Sequence, residues 1–354
     1  DGIDTSHPDL QSQIDFALSY DAVYKTSDGK NKIPYPTFPS GDFHGTAVAG
    51  IMVAAANNDT GIAGIAYEAE VASTRVKWSW NQIVDALGKQ YQFDVSNNSW
   101  GTIDAFTDSF NDTTLTFAYQ AIRHAVEDGR HGLGTVMVFS AGNSASYGAN
   151  TNYSNFANAR EVITVGAVQA DGSAAAFSTP GANVLVSAYG VDLLTTDRHE
   201  PGLGLSPSSN YTNFSGTSAA APVVSAVVAL MLEANPNLGY RDVQEILAYS
   251  ASHPAEETWK ENGAHNFNLG GLSFNDKLGF GVVNAYAAVQ LAQTWTGHNT
   301  AMNEVVSSAR LFGLHDAISD SGAVYSRTFT LSGDMTVDHV ELGIDLRQIG
   351  RAHV

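Results

Sequence analysis

Residues 216–222 read GTSAAAP and run into an apolar stretch that continues to Leu232. This composition predicts a buried helix with Ser218 in its first turn, where small neighbours leave room for a substrate carbonyl. The free amides of a first turn and the positive end of the helix dipole favour an anion at that point. Ser218 is therefore a candidate nucleophile for acyl transfer. Taken alone, a serine before a helix is more often an N-cap, so the assignment depends on partners elsewhere.

Two other stretches supply candidate partners for this serine. Residues 42–50 read DFHGTAVAG and place His44 at the start of a second helix that is rich in small residues. Histidine titrates near neutral pH, so it suits a general base. Residues 135–143 read TVMVFSAGN, which predicts a buried strand that leads to Asn143. The Asn143 amide can donate to an oxyanion, although an asparagine at such a point is also an ordinary turn residue.

In this chain order, the blocks at residues 44–50, 140–143 and 216–222 resemble the signature motifs of the subtilisin superfamily of serine proteases, and within it the kexin and furin branch. The resemblance covers about residues 1–295. It implies Ser218 as nucleophile, His44 as general base and then acid, and Asn143 as oxyanion donor. The implied fold class is α/β, subtilisin-like, with a doubly wound and mostly parallel sheet. Short apolar strands at residues 71–76, 162–165 and 184–186, which alternate with helical stretches, agree with that class.

Residues 1–10 read DGIDTSHPDL and resemble the opening motif of this branch without its first residue. In that motif two acids precede the glycine, and the first acid orients the histidine. Asp1 matches the second acid, so the third member of the triad is expected just upstream of Asp1. In an extended segment, a carboxylate one position along points to the other side of the backbone. Because loss of the orienting acid costs on the order of 10⁴ in turnover, we expect a chain that starts at Asp1 to be a feeble catalyst and the complete protein to be active.

A calcium site is implied by residues 57–64, which read NNDTGIAG and resemble a family loop after the histidine helix. The resemblance assigns as ligands the Asp9 carboxylate, the Asn58 side chain and the carbonyls of Ala56, Thr60 and Ile62. Calcium binds about six to eight oxygen atoms. Without the resemblance, the same residues read as an ordinary helix-ending loop. The chain has no cysteine, and its 11 histidines show no paired helical spacing for zinc.

Residues 99–101, which read SWG, resemble the family strand that pairs in β fashion with an extended peptide. The implied substrate-binding residues are Ser99, Trp100, Gly101, Asp104, Asp42 and Asp1. Asp104 matches an acid at the base of the pocket for the residue before the cut bond, and Asp1 and Asp42 match or neighbour acids of the next pocket. Ser154 stands where convertases that cut after paired basic residues carry another acid. We therefore expect a partial preference for basic residues, although each lone aspartate also reads as a surface charge.

The charge balance excludes several classes of partner. With 36 acidic and 17 basic residues, the formal net charge is -19, which disfavours nucleic acid and anionic membrane surfaces and suits cationic peptides and calcium. We expect no membrane span, because the apolar run that ends at Leu232 is short and contains Pro222. The partners implied are a peptide or protein substrate and a cleaved propeptide or intramolecular chaperone. The resemblance also implies a secreted or cell-envelope location.

The chain is expected to contain a peptidase catalytic domain at residues 1–295, without its extreme N-terminal part, a linker at 296–310 and a second module at 311–354. In the last part, Val340, Leu342, Ile344 and Leu346 alternate with polar residues, which is the period of a half-buried strand. Residues 326–346 resemble the opening of the P domain, the β-sandwich that follows the catalytic domain in kexin-like proteases, here truncated. An extra hairpin would give the same alternation.

The sequence leaves two other functions open. A non-catalytic, peptide-binding pseudoprotease is compatible with the missing acid. A serine esterase also uses serine and histidine, but its nucleophile elbow carries glycines two residues before and two after the serine, and Ala220 breaks that pattern. The sequence therefore predicts a calcium-stabilised serine endopeptidase that acylates Ser218, with His44 transferring protons in both directions.

Overall fold

The computed structural model describes residues 1–24, 42–77, 79–199, 203–261, 271–311, 326–331, 337 and 339–343. The α-helices are α1 (His44–Val53), α2 (Trp80–Leu87), α3 (Thr113–Asp128), α4 (Asn155–Asn158), α5 (Thr217–Ala234), α6 (Tyr240–Ser250) and α7 (Ala285–Thr294). The strands are β1 (Tyr20–Asp21), β2 (Thr74–Arg75), β3 (Val95–Asn98), β4 (Val136–Ser140), β5 (Val162–Val168), β6 (Val184–Tyr189), β7 (Leu193–Thr196), β8 (Tyr211–Phe214), β9 (Lys260–Glu261) and β10 (Ser273–Phe274).

The fold is built on a parallel sheet with the strand order β3-β4-β5-β6. Every residue of β4 and β5 is buried, which explains why these strands read as continuous apolar runs rather than as alternating ones. A short parallel pair joins β1 to β2, and β7 pairs with β8 in antiparallel fashion. Because β3 and β4 run in parallel with Asn98 opposite Phe139, the segments that follow them leave the sheet at the same edge.

Helix α5 is the core helix predicted from the GTSAAAP stretch. It packs against all four strands of the parallel sheet and against α1 and α7. Among the described residues it is the one helix long and apolar enough to cross a membrane, and 67% of it is buried inside the fold. Pro222 lies inside this helix, where it removes the N–H that would bond to the carbonyl four residues earlier.

Helix α1 begins at His44 and packs against α5 and β7. The second residue of the helix must be a glycine, because a Cβ at Gly45 would lie 2.4 Å from the carbonyl oxygen of Gly2. The N-terminal segment therefore passes directly over the first turn of α1. At the same end of the helix, hydroxyl groups of β7 donate to two main-chain carbonyls of α1 and hold the helix against the β7–β8 pair.

The chain divides into one unit at Asp1–Met302 and a second at Asn303–Val354. Helices α6 and α7 follow α5 in the first unit. In the second unit, the described residues after Asn303 belong to no helix or strand, and Val340 and Leu342 are exposed. Ile344 and Leu346 lie outside the described residues. The P domain and the predicted boundaries at 295 and 310 therefore stay predictions.

Candidate active site

Ser218 is the second residue of α5. The residue at the N-cap is Gly216, so the N-cap alternative for Ser218 is wrong. Gly216 has a φ of +133°, in the left-handed half of backbone space that glycine adopts readily. The Ser218 hydroxyl is half-buried and donates to the carbonyl of Ser99 at 3.4 Å. Its backbone N–H has no acceptor among the described residues, as expected in the first turn of a helix.

Asn143 lies in the loop after β4, and Thr217 fixes the orientation of its amide. The backbone N–H and the hydroxyl of Thr217 each donate to Asn143 Oδ1 at 2.9 Å. Asn143 Nδ2 bonds to no described residue, so it is left as a donor. A Cβ built on Gly216 would lie 3.2 Å from Nδ2 and 3.6 Å from the nitrogen of Ser218, so these two donor nitrogens lie close together beside Gly216. Two N–H donors that lie close together and have no acceptor among the described residues suit a developing oxyanion.

His44 is held by its backbone and by one aromatic contact. Its ring lies edge-on to Phe214, with 5.3 Å between the ring centroids. Its backbone N–H donates to the Asp1 carboxylate at 3.1 Å. The imidazole makes no hydrogen bond to any described residue, so the bond from Ser218 to His44 is not formed in this state. Bonds of this kind are often long before substrate binds.

The electrostatics of His44 favour a neutral ring. Its pKa is lowered to about 4, mainly by burial and then by the positive charge of the Asp1 amino group. The imidazole is therefore uncharged at neutral pH and able to accept a proton. The Asp1 carboxylate binds the main chain at the start of α1 rather than the ring, so it does not orient the imidazole. A carboxylate beside the ring would raise the pKa of His44.

The predicted substrate strand, residues 99–101, follows β3. The Trp100 side chain turns inward, with its ring 5.4 Å from Phe139 and 5.1 Å from Phe156, and its Nε1 donates to Asn98 Oδ1 at 3.0 Å. The side chain of Trp100 is therefore turned away from a substrate, and the main chain of Trp100 is the part that can contact one. A Cβ at Gly101 would meet no atom within 4 Å, so the space beside this part of the chain is open.

Asp42, predicted at a specificity pocket, has a buried cationic neighbour. Its carboxylate lies 3.4 Å from the guanidinium of Arg75, which also pairs with Asp21 at 3.2 Å. The Asp42 side chain is 21% exposed, whereas Arg75 is fully buried. Arg75 therefore offsets part of the negative charge that Asp42 offers to a substrate. Asp1, the other acid predicted beside this pocket, is exposed and bound to the start of α1.

The first specificity pocket was predicted to contain Asp104 and Ser154. Asp104 is exposed. The Ser154 hydroxyl donates at 2.7 Å to the carboxylate of Asp108, which is fully buried and also accepts from the backbone N–H of Phe156 at 3.1 Å. The sequence did not indicate Asp108, because nothing in its loop composition signals burial. Ser154, which stands where the convertases carry an acid, therefore contacts a buried acid, Asp108.

The predicted calcium loop is anchored by Asp9, which is fully buried. Its carboxylate accepts from Asn58 Nδ2 at 2.8 Å, from the backbone N–H of Ile62 at 3.0 Å and from the hydroxyl of Tyr211 at 3.0 Å. Burial, followed by the bond to Asp9 and its charge, raises the pKa of Tyr211 to about 12. Tyr211, which the sequence did not indicate, therefore stays a neutral donor and ties β8 to this loop.

The backbone oxygens of the same loop complete a set of oxygen donors. The carbonyls of Ala56, Thr60 and Ile62 accept no hydrogen bond from the described residues. The described part of the chain has no group of three or more histidine, aspartate or glutamate side chains placed to hold a metal ion by themselves. The Asp9 carboxylate together with these neutral oxygens is a donor set for a hard cation such as calcium.

A parallel α/β sheet with a serine and a histidine at the starts of two packed helices is the arrangement of a subtilisin-like serine peptidase. The sequence profile of the Subtilase family matches residues 1–281. The chain belongs to the subtilase family.

Its relatives include processing proteases. It is 36% identical over 306 residues to the dibasic-processing endoprotease of Schizosaccharomyces pombe, covering 83% of this chain and 40% of that protein. It is 31% identical over 313 residues to proprotein convertase subtilisin/kexin type 7 of Homo sapiens, covering 84% of this chain and 37% of the relative. The chain thus spans less than half the length of these relatives.

Solved structures show the same fold. The serine protease of Aeromonas sobria, in a complex with its chaperone, matches with a TM-score of 0.72 and 23% identity over 84% of this chain and 59% of that one. A protease of Pseudoalteromonas arctica matches with a TM-score of 0.65 and 27% identity over 82% of this chain and 87% of that one. The predicted subtilisin-like α/β fold is confirmed.

Proposed function

We propose that this protein is a serine endopeptidase that cuts peptide bonds with Ser218, His44 and an aspartate that precedes Asp1. Asn143 is the proposed oxyanion donor. The observation that carries the proposal is that the Ser218 nitrogen and Asn143 Nδ2, both without an acceptor among the described residues, lie close together in the first turn of α5, where Ser218 carries its hydroxyl. Membership of the subtilase family supports the same activity.

The proposed reaction proceeds in two halves. The Ser218 hydroxyl oxygen attacks the peptide carbonyl carbon while His44 accepts the hydroxyl proton, and the resulting oxyanion binds the N–H groups of Ser218 and Asn143. When the C–N bond breaks, His44 returns the proton to the leaving amine, which leaves an ester on Ser218. Water then attacks this ester with His44 again as base, and the C–O bond to Ser218 breaks. The acid product leaves and the serine regains its proton.

A fluorophosphonate probe tests this proposal, because it reacts only with an activated serine. The protein is prepared with an aspartate before Asp1, and labelling is located by peptide mapping. We expect Ser218 to be labelled and the matched Ser218→Ala variant to stay unlabelled. Absence of labelling would favour the pseudoprotease alternative. Hydrolysis of ester substrates without any cleavage of peptides would favour a serine esterase.

We propose further that basic residues are preferred in the two positions before the cut bond. The net charge of -19, the exposed Asp104 and the partly exposed Asp42 support this preference, and a relative is named a dibasic-processing endoprotease. The pairing of Asp42 with Arg75 and the serine at position 154 argue for a weaker preference than two full acidic pockets would give. Cleavage-site profiling tests it, and equal cutting of peptides without a basic residue at either position would contradict it.

We propose that calcium binds between Asp9, Asn58 and the carbonyls of Ala56, Thr60 and Ile62. The donor set fits, since the Asp9 carboxylate is buried and the loop carbonyls accept no hydrogen bond from described residues. A bound ion would stabilise the fold by joining the N-terminal segment to the loop after α1.

Chelation tests the calcium proposal. We expect a chelator to lower the melting temperature by about 5 °C or more, because a ligand that binds only the folded state stabilises it. Asp9→Asn should remove this response. Asp59→Asn is the matched control, since Asp59 is exposed in the same loop. A melting temperature that chelation leaves unchanged would contradict the proposal.

The proposed partners are a peptide or protein substrate and a propeptide or chaperone that assists folding. The solved complex of the Aeromonas sobria protease with a chaperone supports the second of these. We also propose a secreted or cell-envelope location, by similarity to the convertase relatives.

A further inference from the structure

Helix α5 contains a proline four residues after the proposed nucleophile. In an α-helix, the carbonyl of residue 218 accepts a hydrogen bond from the N–H of residue 222. Pro222 has no N–H, so the Ser218 carbonyl lacks its helical donor. A carbonyl in so buried a helix needs another donor to replace it. Whichever group donates to the Ser218 carbonyl also helps to hold the first turn of α5 in place.

The donor is the hydroxyl of Ser99, on the segment that follows β3. Ser99 Oγ donates to the Ser218 carbonyl at 3.0 Å, and Ser99 is only 8% exposed. The Ser99 hydroxyl in turn accepts from Asn97 Nδ2 at 3.0 Å. Asn97 Oδ1 accepts from the hydroxyl of Ser225, further along α5, at 2.9 Å. These three bonds connect Ser225, in the middle of α5, through Asn97 and Ser99 to the carbonyl of Ser218.

The three bonds share one direction, which makes them stronger together. Ser225 donates to Asn97, Asn97 donates to Ser99, and Ser99 donates to the carbonyl of Ser218. Hydrogen bonds in such a series polarise one another. Because the last bond ends on the nucleophile's own residue, the series fixes the first turn of α5. That turn carries both the Ser218 hydroxyl and the N–H proposed for the oxyanion.

We propose that Ser99, Asn97 and Ser225 are positioning residues for the nucleophile, and that the Ser99 hydroxyl replaces the helical donor that Pro222 removes. This inference rests on the proposed peptidase function. The Ser99 hydroxyl serves a purpose separate from the Ser99 main chain, which is the predicted substrate contact. It acts on the reaction through Ser218 and not by touching the substrate.

A double-mutant cycle between Ser99 and Pro222 tests the proposal. In the protein with an aspartate before Asp1, Ser99→Ala should lower kcat about tenfold and change KM less than about twofold, because one hydrogen bond is lost. Pro222→Ala supplies an N–H that can serve the Ser218 carbonyl. In that background, Ser99→Ala should therefore lower kcat less than about threefold. Active sites are titrated with the fluorophosphonate probe, so that kcat refers to folded molecules only.

Two further variants separate positioning from packing. Ser99→Thr keeps the hydroxyl and should retain most of the activity. Ser96→Ala is the matched control, because Ser96 is equally buried on β3 but donates to Gln90 instead, so kcat should not change. If Pro222→Ala fails to fold, a second cycle combines Ser99→Ala with Asn97→Ala. The variant that carries both changes should lose no more kcat than the more affected single variant.

Additive effects of Ser99→Ala and Pro222→Ala would overturn the proposal, as would an effect of Ser99→Ala on KM alone. In the second cycle, additive losses for Ser99→Ala and Asn97→Ala would overturn it in the same way. A parent protein that neither labels with the probe nor cuts peptides would instead contradict the proposed function. The two failures are therefore distinguishable in the same set of measurements.

Discussion

The two sides of the active site are held in place to very different degrees. On the oxyanion side, Thr217 fixes Asn143 with two hydrogen bonds, and Ser218 is bonded to Ser99 in both directions. On the base side, the His44 ring has one aromatic contact and no hydrogen bond to a described residue. The proposed oxyanion side is therefore organised before substrate arrives, whereas the ring on the proposed base side has no hydrogen-bond partner among the described residues to orient it.

The largest expected effect is on the base side. His44→Ala should lower kcat by about 10⁶, a magnitude known from subtilisin itself, since it removes the proposed acceptor of the Ser218 proton. The measurement is turnover of a chromogenic peptide by the protein with an aspartate before Asp1. His124→Ala, on the exposed surface of α3, should leave turnover unchanged. Retention of more than about one hundredth of the activity by His44→Ala would rule out His44 as the base.

The next effect concerns the carboxylate proposed to precede Asp1. Placing an aspartate before Asp1 should raise kcat by up to about 10⁴ over the version that begins at Asp1, because the ring gains an orienting acceptor. The pH profile should also move. The neutral imidazole is the active form, so kcat/KM of the shorter version should fall only below about pH 4, and the added negative charge should shift that fall to higher pH.

An asparagine placed before Asp1 is the matched control for this comparison. It adds the same backbone without the carboxylate, so turnover should stay low, and the shift of the fall in kcat/KM should be smaller than with aspartate, because both versions lose the charge of the Asp1 amino group but only aspartate adds a negative one. If the asparagine version is as active as the aspartate version, the extra residue acts through the backbone and the base side needs no carboxylate.

On the oxyanion side, Asn143→Ala should lower kcat about 10²- to 10³-fold with little change in KM, a range that also comes from subtilisin. The N–H of Ser218 remains as the second donor, which is why the expected loss is smaller than for His44. Asn111→Ala removes an exposed asparagine outside the site and serves as control. A loss that appears in KM alone would assign Asn143 to substrate binding rather than to the oxyanion.

The smallest expected effect tests the Thr217 clamp. Thr217→Val removes the hydroxyl that donates to Asn143 and accepts from the backbone N–H of Gly142, while the backbone N–H of residue 217 keeps its bond. We expect a three- to tenfold loss of kcat, of the order of about one hydrogen bond. Thr217→Ser should restore most of it. An unchanged kcat in Thr217→Val would mean that the backbone bond alone orients Asn143.

The sequence predicted the starts of α1 and α5 because the small residues around His44 and Ser218, followed by apolar runs, are typical of closely packed buried helices. It predicted the loop position of Asn143 because a continuous apolar run before it reads as a buried parallel strand. These features are local in the chain. That the three blocks belong to one site was predicted from their resemblance to a known family. The match to the Subtilase family confirms that resemblance.

The features that sequence missed are pairings between distant segments. Nothing near Asp42 indicates that Arg75 lies 3.4 Å away, and nothing near Ser154 indicates the buried Asp108. Tyr211 donates to Asp9 across about two hundred residues of chain. One such pairing did leave a signal, since a proline four residues after Ser218 means that some other group must serve its carbonyl.

The close approach of Gly45 to the Gly2 carbonyl has a consequence for mutational tolerance along the cleft. A library at position 45 that is selected only for soluble expression should return glycine almost exclusively, since a methyl group would meet a backbone oxygen at 2.4 Å. Position 101, where an added methyl group meets nothing within 4 Å, should accept many residues in the same selection. Selection for peptide cutting should then reduce the range of residues accepted at position 101 as well. The two selections together would distinguish a glycine that folding requires from a glycine that substrate binding requires.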